Sequence, residues 1–422
     1  MYIGVHLRLF FCGLNDFVAI FLPRAHPVFI DMSRIILLLA VCAATLYAQQ
    51  ITQQPTQRPR RVTGTDQNTE TKKSSDEVDE GDVVRVDTQL VSVPAVVTDV
   101  SGRPLSGLRP ENFRIIEDGQ PQTIANFGTT GTPFEIALLL DTSGSTRDDV
   151  ALIRAAANSF IAALRPGDRV GVVAFNMAQT VAEPIAAVEV LTPLTGDREA
   201  LKTAIDNVGA SQGTPYYDAL ERIADNIFHD PPSEEVRGRR AVVALTDGVD
   251  SSSNSDFVTA KMKLSRVGVA CYFIQVNTED FVEDRLMKDC SDDGQLALSQ
   301  RQIQRYRQMF FPKAKAENFD SFCKMGPFER MSISRELYNL ARREMNDLSS
   351  VSGGRSFVAA TLADARAAFA RVAEDIGTQY SLGYYPTNKA RDGKFRSIKL
   401  EVRGVKDKAV IRARDGYYAP KQ

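Results

Sequence analysis

Apolar positions follow two different rules along this chain. Between about 134 and 376, short continuous apolar runs alternate with stretches whose apolar residues recur at helical spacing. The runs 134–140, 241–246 and 267–276 predict buried strands, and 170–175 and 355–358 predict shorter ones. Val150, Ile153, Ala157, Ile161 and Leu164 predict a helix after the first run. Further helices are expected over 198–208, 216–228, 257–267 and 337–351. Leu362, Phe369, Val372 and Ile376 stripe a final helix, with Thr361 as its cap. An antiparallel edge strand is expected at 179–183. Strands fully apolar on both faces, alternating with helices, predict an α/β fold. Its form is a doubly wound, mostly parallel sheet with helices on both faces.

The flanks follow the other rule, with strands and no helices. The segment 83–100 is rich in Val, and 112–117 and 122–127 flank the turn pair Asp118-Gly119. Downstream, 380–385, 395–402 and 409–413 are strand-like, and Ile398, Leu400 and Val402 alternate with Ser397, Lys399 and Glu401. Each flank is short for a core of its own. We therefore expect 82–130 and 378–420 to pair as one β-sandwich-like domain, with 133–377 inserted between them. Two separate β extensions are the alternative.

The amino end reads as processing rather than fold. Residues 32–34 are a short basic start and 35–46 an apolar core, so 1–48 is expected to be a signal peptide region with Met32 as its true start. A membrane anchor is the alternative, but the run is short for a span, so no transmembrane segment is expected in the mature chain. Residues 49–81 have almost no apolar side chains and are expected to be a disordered linker. The mature chain is then secreted or otherwise extracytoplasmic. A net charge of −2 over 422 residues carries no nucleic-acid footprint. Of five Cys, Cys12 and Cys42 leave with the leader and Cys271 lies in an apolar run. Cys290 and Cys323 can pair as a disulfide in an oxidising compartment.

The chemistry concentrates at strand ends. The run 134–140 ends in Asp141-Thr142-Ser143-Gly144-Ser145, and 241–246 ends in Asp247-Gly248. Both carboxylates are thus expected at the carboxyl ends of parallel strands, where open α/β sheets bind ligands. Thr214, in the loop before the 216–228 helix, offers another hydroxyl. Such hard oxygen donors suit Mg²⁺, Mn²⁺ or Ca²⁺.

Asp141, Ser143, Ser145, Thr214 and Asp247, in that order and spacing, resemble the metal-ion-dependent adhesion site of von Willebrand factor type A domains. The resemblance covers about 133–376, and the flanks resemble those of a bacterial secreted subfamily. It implies that these five residues hold a divalent cation, Mg²⁺ foremost, with Asp247 and Thr214 acting partly through water. It also implies an open position that accepts a carboxylate from a protein partner. Asp250 and Asp218 are candidates for a supporting role, against the plainer reading of turn or helix-cap residues. The pattern departs from the family over about 278–333, a long insertion that either borders the site or is surface decoration.

The expected function is a secreted, cation-dependent protein-binding module rather than an enzyme. A metal-assisted hydrolase and a surface protein with a purely structural metal remain as alternatives. The motifs bring no His, no second carboxylate cluster and no D-x-D nucleophile signature.

Overall fold

The computed structural model describes residues 90–143, 150–178, 185–280, 282–283, 300–310, 325–405 and 408–421. The expected leader and linker, Ser145, the edge strand at 179–183, Cys290 and Cys323 lie outside these residues.

The first flank forms β1 (Val91–Thr98), β2 (Phe113–Glu117), β3 (Gln120–Gln122) and β4 (Ile124–Gly128). Asp118 and Gly119 both take positive φ, 45° and 84°, so β2 and β3 close as a hairpin at the expected turn, but most of the strand expected over 122–127 is β4, which pairs with the second flank in another sheet. The central segment then runs β5 (Glu135–Leu140), α1 (Val150–Ala163), β6 (Arg169–Ala178), β7 (Ile185–Thr195), α2 (Arg198–Asp206) and α3 (Tyr216–Arg222). It continues with β8 (Arg240–Thr246), α4 (Phe257–Val267), β9 (Ala270–Val276), α5 (Gln300–Phe310), α6 (Pro327–Ser352), β10 (Arg355–Ala359) and α7 (Ala365–Gly377). The second flank supplies β11 (Tyr380–Tyr384), β12 (Phe395–Val402), β13 (Val410–Ala413) and β14 (Gly416–Tyr418).

The central strands form one six-stranded sheet in the order β10-β9-β8-β5-β6-β7, parallel except for the β6–β7 pair. Helices cover both faces, because successive side chains of a strand point opposite ways. In β5, Ile136, Leu138 and Leu140 join Ile153 and Phe160 of α1 and Phe369 of α7 in one core. Ala137 and Leu139 face the other way, onto Leu220 of α3, Leu264 of α4 and Leu337 of α6. Phe160 and Phe369 meet at 5.1 Å between ring centroids, which ties α1 to α7.

The flanks form two four-stranded antiparallel sheets, β13-β1-β11-β4 and β14-β12-β2-β3, each built from both ends of the central segment. The two sheets enclose a single core that includes Val93, Val97, Phe113, Ile115, Leu382 and Ile398. Within it, buried Glu117 accepts hydrogen bonds from Tyr384 (2.6 Å) and Tyr417 (3.1 Å), linking first-flank to second-flank residues.

Several elements depart from the sequence reading. The antiparallel edge strand described is β7 at 185–195, later than the expected 179–183, and its half-exposed residues lack strict alternation. The 216–228 helix is α3 followed by a wider π-helical turn, Ile223–Ile227. The helix expected from 337 starts at Pro327, inside the segment read as an insertion, because Ile333 already joins the buried stripe. Gly353 ends it with φ 80°, as expected of a left-handed stop. β14 is too short for a periodic signal.

The α1–α7 contact generates a stability prediction. Phe369→Ala removes a fully buried ring and should cost about 3–5 kcal/mol. Urea denaturation followed by far-UV circular dichroism checks this, and a cost below about 1 kcal/mol would contradict the packing described.

Candidate functional site

Strand register places the first carboxylate. Leu140 of β5 pairs with Leu245 of β8, so the residues just beyond, Asp141 and Thr246, stand side by side at the carboxyl rim. The Asp141 amide donates to the Leu245 carbonyl (3.0 Å), extending the ladder by one step. The Thr246 hydroxyl donates to Asp141 Oδ2 (2.6 Å), and the Ser143 amide donates to Oδ1 (3.0 Å). Asp247 follows one residue later. Its Oδ1 accepts from the Val249 amide (3.0 Å) and its Oδ2 from the Thr278 hydroxyl (2.7 Å). Thr278 in turn bonds the Tyr338 hydroxyl of α6 (2.8 Å). Gly248 has φ 74°, and a Cβ there would lie 2.7 Å from Met345 Cε. Glycine at this point lets α6 press against the loop that carries Asp247.

Thr214 is brought in by ties between loops. The Thr142 hydroxyl donates to the Gly209 carbonyl (2.5 Å), and the Ser211 amide donates to the Thr142 carbonyl (2.9 Å). The Thr214 amide donates to the Ser251 hydroxyl (2.8 Å), and the Ser251 amide returns a bond to the Thr214 carbonyl (3.0 Å). The loops of Asp141, Thr214 and Asp247 are therefore stitched together. Asp141, Ser143, Thr214 and Asp247 are 1%, 2%, 6% and 5% exposed. Ser145, the remaining expected donor, lies outside the described residues.

The two acids weighed for a supporting role, Asp218 and Asp250, make turn and cap contacts. Asp218 accepts from the Asn254 and Ser255 amides (3.0 and 2.9 Å), so it shapes the 253–255 turn. Asp250 accepts from the Tyr216 and Tyr217 amides (3.0 and 3.4 Å) and so caps α3 from another loop. Its Oδ2 also accepts from Gln302 of α5, and its carbonyl accepts from the Tyr306 hydroxyl (2.6 Å). Gln302 and Tyr306 are buried, and Ile303 joins the core under α3. The part of the insertion that forms α5 therefore packs on the loop that follows Asp247.

Against known proteins, the von Willebrand factor type A domain profile matches residues 136–249, from β5 through the loop after Asp247. The match spans the two strands that end at Asp141 and Asp247 and the helices between them. Among solved structures, a von Willebrand factor type A protein from Catenulispora acidiphila is similar at 13% identity and TM-score 0.36, covering 80% of this chain and 75% of that one. Proximal thread matrix protein 1 from the mussel byssus is similar at 13% identity and TM-score 0.38, covering 64% of this chain and 51% of that one. The chain thus spans about half the length of the mussel protein. No curated protein matches the chain.

In the segment that this profile matches, charge is the outstanding property of the rim. Burial, and then the charge of Asp247, hold the Asp141 carboxyl well above the usual carboxylate range. Bonds from Ser143 and Thr246 offset part of that rise. Burial likewise pushes the Asp250 carboxyl up to about 7. Among the described residues no group of three or more His, Cys, Asp or Glu side chains converges to hold a metal. A cation at the rim would be held by the carboxylates Asp141 and Asp247 with the hydroxyls of Ser143 and Thr214. That all-oxygen set with two negative charges fits a hard divalent ion. Sequence reading missed Thr246, Thr278 and Ser251, which orient the donors. Each is an ordinary strand or loop residue until pairing shows its neighbour.

The raised carboxyl of Asp250 carries a pH prediction. A folded-state value above the unfolded 3.8 means that the native chain binds more protons. That stability is present at low pH and is lost as pH rises from about 4 to about 7. In chelator, the urea midpoint should fall less steeply over this window in Asp250→Asn than in the natural chain. Equal slopes would contradict the buried, ionisable state assigned to Asp250.

Proposed function

We propose that the chain is a divalent-cation-dependent protein-binding module that acts outside the cytoplasm. Asp141, Ser143, Ser145, Thr214 and Asp247 would hold the cation, Mg²⁺ foremost and Mn²⁺ or Ca²⁺ as alternatives. The observation that carries this reading is the placement of two nearly buried carboxylates beside each other, close enough that Asp247 raises the carboxyl of Asp141. Burying two like charges together is unfavourable unless a cation joins them. A bound divalent ion supplies that charge, and with a coordination position left open it attracts an acidic group.

The protein's own residues prepare the site. Thr246 and the Ser143 amide fix the Asp141 carboxylate, and Thr278 and the Val249 amide fix that of Asp247. Neither carboxylate then has to give up rotational freedom on binding. A partner presenting an Asp, a Glu or a chain terminus would complete the coordination.

We place this reading above a hydrolase. The remaining acid of the loop, Asp250, is committed to the Tyr216 and Tyr217 amides and to Gln302. His229, the His of the central segment, is exposed on the stretch before β8. Both observations favour a binding role over general-base chemistry at the rim. Among the described residues no helix is long and apolar enough to cross a membrane.

Calorimetric titration of Mg²⁺, Mn²⁺ and Ca²⁺ tests the site. Asp141→Ala should abolish binding, and Thr246→Val should weaken it about 10–100-fold, since that hydroxyl only orients a ligand. Unchanged affinity in Asp141→Ala would overturn the site. Cross-linking pull-downs with and without chelator test the adhesive role. Capture that is indifferent to both chelator and Asp141→Ala would overturn it.

A further inference from the structure

A cavity of about 320 Å³ lies away from the rim, where α4 and the end of α6 meet the flanking strands. Val269 and Ser352, which line it, sit just before β9 and β10, so it opens at the amino end of the parallel sheet, opposite the carboxylates. Leu264, Val269, Leu348 and Val351 form its apolar walls from the central segment. Phe395 and Tyr418 form an aromatic wall from the flanking sheet, with ring centroids 5.3 Å apart. Phe395 is 49% exposed and marks the mouth, whereas Arg414 is 4% exposed and marks the floor.

Arg414 is the unusual member. Its guanidinium donates to the carbonyls of Ser92 (2.6 Å), Ser265 (2.7 Å) and Gly416 (3.1 Å). Those bonds fasten β1 and α4 to the turn before β14, but carbonyl oxygens carry no net charge. Each hydrogen bond described for the guanidinium goes to a carbonyl and none to a carboxylate, and the Tyr417 ring centroid lies 5.9 Å away. Burial pulls the guanidinium down to about 10. A fully buried Arg is ordinarily paired with an acid. At the mouth, Lys261 pairs with Asp347 (2.6 Å), and exposed Asp415 is the acid of the lining. Burial and the charge of Asp347 push the Asp415 carboxyl up. Positive charge therefore sits at the floor, and opposed charges sit at the mouth.

We infer that this cavity binds an amphipathic monoanion, an aliphatic or aromatic carboxylate whose apolar body lies against Leu264, Leu348 and Phe395 and whose charge faces Arg414. The volume lies at the small end of the range for ligand pockets. The apolar walls give affinity, and the buried guanidinium selects the sign of the head group. This inference does not rest on the metal reading. Chelator is kept in every measurement so that no carboxylate can reach a cation at the rim.

The test uses the full chain in chelator with 8-anilinonaphthalene-1-sulfonate as a fluorescent apolar anion. Decanoate, decanol and decylamine then compete for it. Decanoate should displace the dye about tenfold better than decanol, the size expected of a charge-assisted contact, and decylamine worst of all. Phe395→Ala, a change at a half-exposed wall, should weaken the dye and decanoate about fivefold while leaving the melting temperature nearly unchanged. Arg414→Met should erase the preference for acid over alcohol. Dye binding unaffected by Phe395→Ala would overturn the location. Displacement by decanol or decylamine as strong as by decanoate in the natural chain would overturn the anion assignment, whether or not Arg414→Met folds.

Discussion

Asp141 and Asp247 end neighbouring strands of a parallel sheet, and the β5–β8 register leaves them almost nowhere else to be. Parallel neighbours present the same end to the same rim, so two acids that each follow an apolar strand must share a small volume. The cost is electrostatic: each carboxylate is nearly dry, and the charge of Asp247 opposes the ionisation of Asp141. Thr246, Thr278 and the local amides soften that cost with hydrogen bonds but add no positive charge. The surrounding loops, the glycine at 248 and the close approach of α6 all serve to hold this arrangement in place.

The layers around the sheet follow from the same topology. Strands apolar on both faces need helices on both faces, and α1 with α7 on one side and α3, α4 and α6 on the other supply them. The flanking strands attach at the opposite end, where Arg414 binds carbonyls of β1 and α4. The chain therefore has two chemically different ends. One is a rim rich in carboxylate and hydroxyl, and the other is an apolar seam with a buried cation.

Much of this was legible as pattern. Continuous apolar runs ending in Asp141 and Asp247, and helical stripes such as Ile153–Ala157–Ile161, depend only on local periodicity and appear where expected. The limits of α6 and the existence of β7 and β14 were not legible. Pro327 reads as a loop residue until Ile333 is seen buried, and half-exposed β7 has no period to detect. For Asp218 and Asp250 the plainer reading of turn or cap residues was available, but not the partners each one takes. Both are acids near a motif, and only the fold shows that one shapes a turn and the other caps α3.

By itself, then, the amino-acid sequence determined which segments bury, with what period, and which oxygen-bearing residues end the strands. Those properties reside in a few adjacent residues. The tertiary structure alone decided which loops are tied together, which hydroxyls orient the two acids, and how the two flanks, expected to pair, interleave as two sheets around one core. Those contacts join residues well separated in the chain, from 31 positions for Thr278 to Asp247 up to 267 for Tyr384 to Glu117, and no local pattern encodes such a meeting.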